Sequence, residues 1–138
     1  MDADELSHVV IGAATRIHSG LGPGLYESVY ETVLAADLSR RGLMVERQKS
    51  MPFEFDGMIF DQGFHVDLLI EGKLVVEIKC VSQIGPAHCR QTLTYMRLLK
   101  CNLGLILNFS AASLRDGIKR IIDTNSPSRP LRTLREKK

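Results

Sequence analysis

The chain lacks the sequence features of a membrane, secreted or zinc-binding protein. No apolar run in it approaches the roughly 20 residues that a membrane-spanning helix requires. Acidic residues occupy three of its first five positions, whereas a secretory signal begins with basic ones. The three cysteines, Cys80, Cys89 and Cys101, have no Cys-x-x-Cys spacing, which disfavours a zinc site. We therefore expect reduced thiols in a cytoplasmic protein that has no membrane partner.

The composition indicates one globular domain followed by a basic tail. A chain of 138 residues, 44% hydrophobic and 25% charged, fits a single domain, which we place at 1–123. The segment 124–138 carries five basic residues and one acidic residue, so its net charge is +4 while the rest of the chain is at −2. Because it also contains Pro127 and Pro130, we expect it to be loosely ordered. Such a tail could track nucleic-acid phosphates, or it could be a solvated end that aids solubility.

The apolar periodicity predicts the element order α-α-β-β-β-β-α-β-α. Helical spacing marks the first two helices, which a glycine-rich segment at 19–24 separates. Pro86 opens a later helix, and Asp56-Gly57 is interpreted as an interruption within the second strand. The predicted strands lie at 43–50, 53–60, 64–70, 74–81 and 103–109, and the last two predicted helices lie at 86–100 and 114–122. Because a helix joins the last two strands, we predict an α/β fold with a mixed sheet of four or slightly more strands, flanked by helices.

Two adjacent strands that alternate apolar and polar residues predict the candidate site. If the apolar residues at 64–70 and 74–80 face one core, Ile70 must pair with Leu74 across a three-residue loop. That register places Asp67 directly opposite Glu77, with Lys79 two residues further along the second strand. The hairpin is then expected to be half-buried, with an apolar face on the core and a polar face that gathers two carboxylates and an ammonium group.

This polar face suits the hydrolysis of a phosphodiester bond. Asp67 and Glu77 could hold a hard cation such as Mg²⁺, with water and phosphate oxygens as the remaining ligands. The cation would polarise the phosphate and lower the pKa of a bound water, while Lys79 would steady that water or offset developing charge. The alternative is a solvated sheet face on which the same three side chains form ion pairs.

Two further groups of polar residues flank this hairpin in sequence. Glu27 lies in the first turn of the second helix, where it could supply another carboxylate to the metal or simply face solvent. His88, Gln91 and Tyr95 share one stripe of the helix that follows Lys79. Gln91 and Tyr95 could orient Lys79 or hold a phosphate or a base edge, or the stripe could be a half-buried polar rim.

Three short motifs run through the domain in a fixed order. They are Gly24-Leu25-Tyr26-Glu27-Ser28-Val29-Tyr30, then Asp67 with Glu77-Ile78-Lys79, and then Gln91-Thr92-Leu93-Thr94-Tyr95. With these motifs the chain resembles the GxxExxY family of the PD-(D/E)XK nuclease superfamily, and the third motif is similar to that of its recombination-exonuclease branch. The resemblance covers residues 5–123, and Val66 stands where the superfamily name has proline, a position that is often replaced.

The resemblance implies a restriction-endonuclease-like core and a metal-dependent nuclease. It implies Mg²⁺ as the cofactor, with Mn²⁺ as a substitute, and cleavage of DNA or RNA phosphodiester bonds, without specifying a substrate. Of the two, we expect DNA. Lys79 would position the attacking water or stabilise the charged transition state, and Gln91 and Tyr95 would shape the site. The implied residues are, for the metal, Glu27, Asp67, Glu77 and the carbonyl of Ile78, and, for catalysis, Asp67, Glu77, Lys79, Gln91 and Tyr95.

Two other functions stay open at this point. The chain could be a catalytically silent nucleic-acid-binding or assembly module on the same fold, because it carries no appended recognition domain. It could also be an unrelated α/β protein whose charges are surface pairs. In the nuclease interpretation the partner is nucleic acid, and a homodimer is expected because one small domain offers little surface for gripping a duplex.

Overall fold

The computed structural model describes residues 1–124, apart from the side chain of Gln62. The predicted tail at 124–138 lies outside the described residues except for its first position. Within the described part, no helix is both long and apolar enough to cross a bilayer. In chain order the elements are α1 (Ala3–Leu21), α2 (Glu27–Arg40), β1 (Val45–Phe55), β2 (Met58–Ile70), β3 (Leu74–Lys79), α3 (Pro86–Leu99), β4 (Leu103–Asn108), a 3-10 helix (Leu114–Gly117) and β5 (Ile118–Ile122).

Local sequence signals fix where α1 and α3 begin. The Asp2 side chain accepts a hydrogen bond from the Glu5 N–H at 2.8 Å, and the Glu5 side chain accepts one from the Asp2 N–H at 2.9 Å. This reciprocal pair satisfies two backbone donors that the first turn of α1 leaves without helical partners. In α3, Pro86 occupies the first turn, and His88 Nδ1 accepts from the Gly85 N–H at 3.0 Å. His88, predicted on the site-facing stripe, therefore caps its own helix.

The five strands form one mixed sheet in the order β1-β2-β3-β4-β5. Strands β3 and β4 run parallel, and every other neighbouring pair is antiparallel. Parallel neighbours need a long crossover connection, and α3 supplies it, as predicted. The predicted fold class is confirmed: an α/β fold with a mixed sheet flanked by helices, here with five strands.

The predicted order is wrong ahead of α3, where three strands stand instead of four. Asp56-Gly57 does not interrupt a strand but forms the turn that joins β1 to β2, and their φ angles are +53° and +75°. Glycine adopts this region at little cost and aspartate tolerates it better than most residues, so the dipeptide suits a tight turn. Segments predicted as separate strands thus merge into two long ones, paired from Val45–Ile70 to Phe55–Met58.

The helix predicted at 114–122 is also wrong. The chain makes a short 3-10 helix and then β5, which pairs antiparallel with β4. Ile118 and Ile121 have helical spacing, but in the strand they lie on opposite faces and pack against different cores. Pairing with β5 also satisfies the backbone groups along this side of the buried strand β4, which a helix could not have done.

Hydrophobic cores lie on both faces of the sheet. The core on one face joins α1 and α2 to the sheet, and the core on the other face lies beneath α3. Val75 is fully buried among residues of α3, and Glu77 is only 4% exposed. The predicted half-burial of the β2–β3 hairpin is therefore wrong for β3, because α3 covers the face that was expected to be polar and solvated.

Candidate active site

Where β2 and β3 separate, hydrogen bonds to the side chains of Asp67 and Glu77 take the place of the backbone-to-backbone hydrogen bonds. The ladder runs from Ile70–Leu74 to Leu68–Val76, with Ile70 opposite Leu74 as predicted. At the next position the Asp67 N–H donates to Glu77 Oε2 at 2.9 Å, and the Ile78 N–H donates to Asp67 Oδ2 at 2.8 Å. The two carboxylates are thus fixed side by side through main-chain atoms of the opposite strand.

Each carboxylate keeps a second oxygen for other partners. Glu77 Oε1 lies 4.0 Å from Lys79 Nζ, whose side chain is 20% exposed. Asp67 Oδ1 accepts a hydrogen bond from Gln48 Nε2 at 3.1 Å. On each group one oxygen is fixed by a backbone N–H and the other contacts a side chain, so a cation can bind at the second oxygens without disturbing the strand connection.

Burial raises the pKa of Glu77 to about 7, and the negative charge of Asp67 adds to the effect. Glu31 acts in the same direction, whereas the Asp67 N–H and Lys79 favour the charged form. A carboxylate with this pKa exchanges its proton near neutral pH, so a divalent cation placed between Glu77 and Asp67 would relieve the repulsion that raises it.

Glu31 is a third carboxylate at this site, and sequence reasoning missed it. It is 6% exposed on α2, and its Oε1 accepts from Gln48 Nε2 at 2.7 Å. Because Gln48 donates to both Glu31 and Asp67, it bridges α2 and β2. The available signal was position: Glu31 falls on the same helical stripe as the buried residues Leu34 and Leu38, where a charge needs a partner.

Glu27 lies one helical turn before Glu31 and makes a different contact. Its Oε2 accepts from the Cys80 N–H at 2.9 Å, just beyond the end of β3. Tyr30, from the same motif, donates its hydroxyl to the Gly22 carbonyl at 2.5 Å and accepts from the Leu25 N–H at 3.2 Å. The first motif thus closes the loop ahead of α2 and fastens the start of that helix to β3.

The two α3 residues predicted to shape the site, Gln91 and Tyr95, differ in burial. Tyr95 is 8% exposed and packs edge-on against Phe64, with ring centroids 5.9 Å apart. Burial raises the pKa of the Tyr95 hydroxyl, and the charges of Glu77 and Asp67 add to the effect, so it stays protonated beside the carboxylates. Gln91 lies one turn earlier on α3 with an exposed side chain.

Asn108, a second residue that sequence reasoning missed, holds the end of β3 that carries Lys79. Its Oδ1 accepts from the Val81 N–H at 3.1 Å and its Nδ2 donates to the Val81 carbonyl at 2.8 Å. The Phe109 N–H donates to the Lys79 carbonyl at 2.9 Å, which continues the β3–β4 pairing past the strand ends. The sequence signal for Asn108 was that it is the one polar side chain in the apolar run at 103–109.

The donor set fits a hard divalent cation that keeps several waters. The second oxygens of Asp67 and Glu77 and the main-chain carbonyl of Ile78 are of the oxygen type that Mg²⁺ prefers, and Mg²⁺ is commonly bound through only one or two protein carboxylates. Within residues 1–124, no group of three or more His, Cys, Asp or Glu side chains is close enough to form a metal cage. Such a site therefore depends on water and substrate oxygens for its remaining ligands.

Comparison with known families agrees with this geometry. A family model described as the PD-(D/E)XK nuclease superfamily matches residues 4–121, which is most of the chain and includes every site residue named above. No curated protein and no solved structure matches the chain significantly.

Proposed function

The chain belongs to the PD-(D/E)XK nuclease superfamily, and on that premise we propose that it is a metal-dependent nuclease that hydrolyses phosphodiester bonds of DNA. The observation that carries the proposal is the reciprocal attachment of Asp67 and Glu77 through main-chain N–H groups. Two carboxylates held this close repel each other unless a cation lies between them. A purely structural contact would be better served by opposite charges.

Asp67, Glu77 and the carbonyl of Ile78 are the proposed ligands of Mg²⁺, for which Mn²⁺ would substitute. When bound, the cation would polarise the phosphate and lower the pKa of a water ligand. The protein contributes rigid ligand positions, because each carboxylate has one oxygen fixed by a backbone N–H. Near neutral pH the Glu77 proton has to leave for the cation to bind, since burial and Asp67 hold its pKa at about 7.

Lys79 is the proposed electrostatic catalyst. Its ammonium lies 4.0 Å from Glu77 Oε1, so it can reach a phosphate or a water held at the carboxylate pair. Tyr95, kept protonated by its surroundings, can donate a hydrogen bond toward the same space, and the exposed Gln91 can contact substrate one turn away. These three residues would stabilise charge and position the reacting groups.

A third carboxylate is proposed to support the metal through water. Glu31 is favoured, because its charge acts on Glu77 and Gln48 links it to Asp67. Glu27, which the family resemblance implies as a ligand, is the second candidate, although its carboxylate accepts from the Cys80 N–H. Glu31 and Glu27 lie one turn apart on α2, so a single substitution of each distinguishes them.

The finer assignments rest on sequence motifs. The Gly24–Tyr30 motif supports membership of the GxxExxY family. In this chain, two residues of that motif, Glu27 and Tyr30, make contacts that hold α2 in place. Cytoplasmic location, a DNA rather than RNA substrate and a homodimer are proposed with it. The homodimer would extend the small surface that one domain offers to a duplex.

A substrate panel tests the proposal. The purified full chain with Mg²⁺ or Mn²⁺ is incubated with single-stranded DNA, duplex DNA, branched DNA and RNA, and Lys79→Ala serves as the impaired control. We expect metal-dependent cleavage of at least one DNA substrate by the wild type and strongly reduced cleavage by the variant. Binding without cleavage of any substrate by either metal would instead indicate a silent nucleic-acid-binding module.

A further inference from the structure

Three arginines share one buried carboxylate between α1 and α2. Asp37 is 9% exposed and accepts hydrogen bonds from Arg16 at 3.2 Å, Arg40 at 3.3 Å and Arg41 at 2.9 Å. One negative charge thus faces three positive ones, which leaves a local excess of two. The side chains of Arg16 and Arg40 are 58% and 82% exposed, so this excess lies at the surface. We refer to these four residues as the Asp37 cluster.

Asp37 holds the arginines in place before any ligand arrives. Its hydrogen bond with Arg41 lowers the pKa of the carboxyl below its ordinary value and outweighs burial, which acts in the other direction, and the charges of Arg41 and Arg16 add to the lowering. It therefore stays ionised at neutral pH. An arginine that is already oriented loses less conformational freedom on binding an anion than a free surface arginine does.

The Asp37 cluster lines an open groove that continues toward the candidate active site. The groove, with a volume of about 540 Å³, is lined by Arg16 and Arg40 and reaches Thr32. Arg47 donates to Thr32 Oγ1 at 2.9 Å and to Glu31 Oε2 at 3.2 Å. Arg47 thus links the Thr32 end of the groove to Glu31, and Gln48 links Glu31 to Asp67.

The distance between Glu31 and Asp37 along α2 is compatible with the phosphate spacing of a nucleic-acid strand. Glu31 and Asp37 are six residues apart on α2, which is about 9 Å along the helix axis. One strand of a duplex carries a phosphate about every 3.4 Å along its axis, so roughly two or three nucleotides span this distance. Because six residues also place Glu31 and Asp37 about 120° apart around the helix, a strand that starts at Glu31 has to cross α2 obliquely to bring later phosphates to the Asp37 cluster.

The tip of the β1–β2 hairpin carries the other sign of charge. The free end of the β1–β2 hairpin exposes Glu54, Asp56 and Asp61 around the turn. These carboxylates repel phosphates, which makes the hairpin tip a less favourable surface for a polyanion than the Asp37 cluster.

We propose that the Asp37 cluster is a phosphate-binding track, in which Arg16 and Arg40 contact the backbone of a DNA strand whose scissile phosphate lies at Asp67 and Glu77. The position of the scissile phosphate rests on the proposed nuclease function. Arg41 has a separate task, since it is the arginine closest to Asp37 and keeps that carboxylate paired. Backbone contacts of this kind supply affinity and register but no sequence preference.

The test removes the two exposed arginines and leaves Arg41 to pair Asp37. Binding of a labelled DNA duplex to Arg16→Gln/Arg40→Gln is measured across a salt series with chelator present, so that no cleavage is needed. The slope of log affinity against log salt is expected to become shallower by about 0.9 for each lost contact, about 1.8 in total. Arg16→Lys/Arg40→Lys keeps both charges and is expected to retain most of the wild-type slope.

A matched control removes two positive charges elsewhere. Lys100→Gln/Lys119→Gln, at the end of α3 and on β5, is expected to leave the slope within experimental error. Equal slopes for wild type and the arginine variant, with both folded by circular dichroism, would overturn the track. So would an equal loss in the lysine control. If the slope falls as expected but the wild type cleaves no DNA, the track stands and the nuclease proposal fails.

Discussion

Asp67 donates its backbone N–H to the Glu77 carboxylate at 2.9 Å, so the two acidic residues of the site are joined through the main chain. The partner bond runs from the Ile78 N–H to Asp67 at 2.8 Å. Either bond can also form to an uncharged acceptor, since an amide oxygen could accept in place of the carboxylate. Substituting either carboxylate by its amide should therefore change the electrostatics of the site while leaving its geometry largely in place.

Glu31→Gln should weaken binding of Mg²⁺ or Mn²⁺ more than Glu27→Gln does. Glu31 is buried and its charge acts on Glu77, whereas Glu27 is exposed and accepts from the Cys80 N–H. Removing a supporting partner of a metal site commonly costs about 10- to 100-fold in affinity. Titration calorimetry on the two purified variants and the wild type measures the difference.

The two variants control for each other, because they lie one turn apart on the same helix and lose the same charge. Thermal unfolding without metal shows whether either change disturbs α2. A larger loss of metal affinity in Glu27→Gln than in Glu31→Gln would return Glu27 to the role that the family resemblance implies, and would remove Glu31 from the proposed site.

Much of the fold could be predicted because its signals are local. The proline and glycine positions and the apolar periodicity mark α1, α2, α3 and the buried strands. Strand β5 could not be predicted, because Ile118 and Ile121 have helical spacing. A strand is favoured there only because the edge of β4 needs a partner for its backbone groups. Burial of β3 on both faces was missed for a similar reason, since the covering helix α3 lies later in the sequence.

The candidate site also contains residues that local sequence signals predict and residues that they miss. The pairing of Asp67 with Glu77 follows from the hairpin register, which the sequence encodes through alternation and loop length. Glu31 and Asn108 were missed, because each acts through a partner far along the chain, Gln48 for Glu31 and Val81 for Asn108. The local pattern marks each as a polar residue at a buried position, but it does not record which partner the residue contacts.

Stability without metal should fall as pH rises, because of Glu77. Its folded pKa is about 7 against an ordinary value of 4.5, so between these values the folded state holds a proton that the unfolded state has lost. The stabilisation is therefore present at low pH and is lost as pH rises to about 7. At about 1.36 kcal/mol per pKa unit, the whole effect is roughly 3 kcal/mol.

Glu77→Gln isolates this effect, because the other titrating groups are common to both proteins. Compared by urea unfolding with chelator present, the variant should be more stable than the wild type at about pH 8 by up to roughly 3 kcal/mol, and the difference should shrink toward about pH 5. Adding Mg²⁺ at about pH 8 should stabilise the wild type and not the variant. A stability difference between variant and wild type that does not change with pH would contradict the raised pKa of Glu77.

Lys79→Ala should lower kcat by about 10²–10³, which corresponds to roughly 2.7–4 kcal/mol of transition-state stabilisation. The ammonium lies 4.0 Å from Glu77 Oε1, where it can offset charge that develops on a phosphate in the transition state. Ground-state binding of DNA should change less, since Lys79 would be one phosphate contact among several.

Lys79 also lowers the pKa of Glu77, so its removal should weaken metal binding near neutral pH. Kinetics at saturating Mg²⁺ and at a pH well above 7 separate the two effects, because Glu77 is then ionised in both proteins. Lys49→Ala is the matched control, since that lysine lies on β1 and already pairs with Glu46 at 3.1 Å. If kcat recovers fully in Lys79→Ala under these conditions, Lys79 acts only by tuning Glu77, and its direct role at the phosphate is excluded.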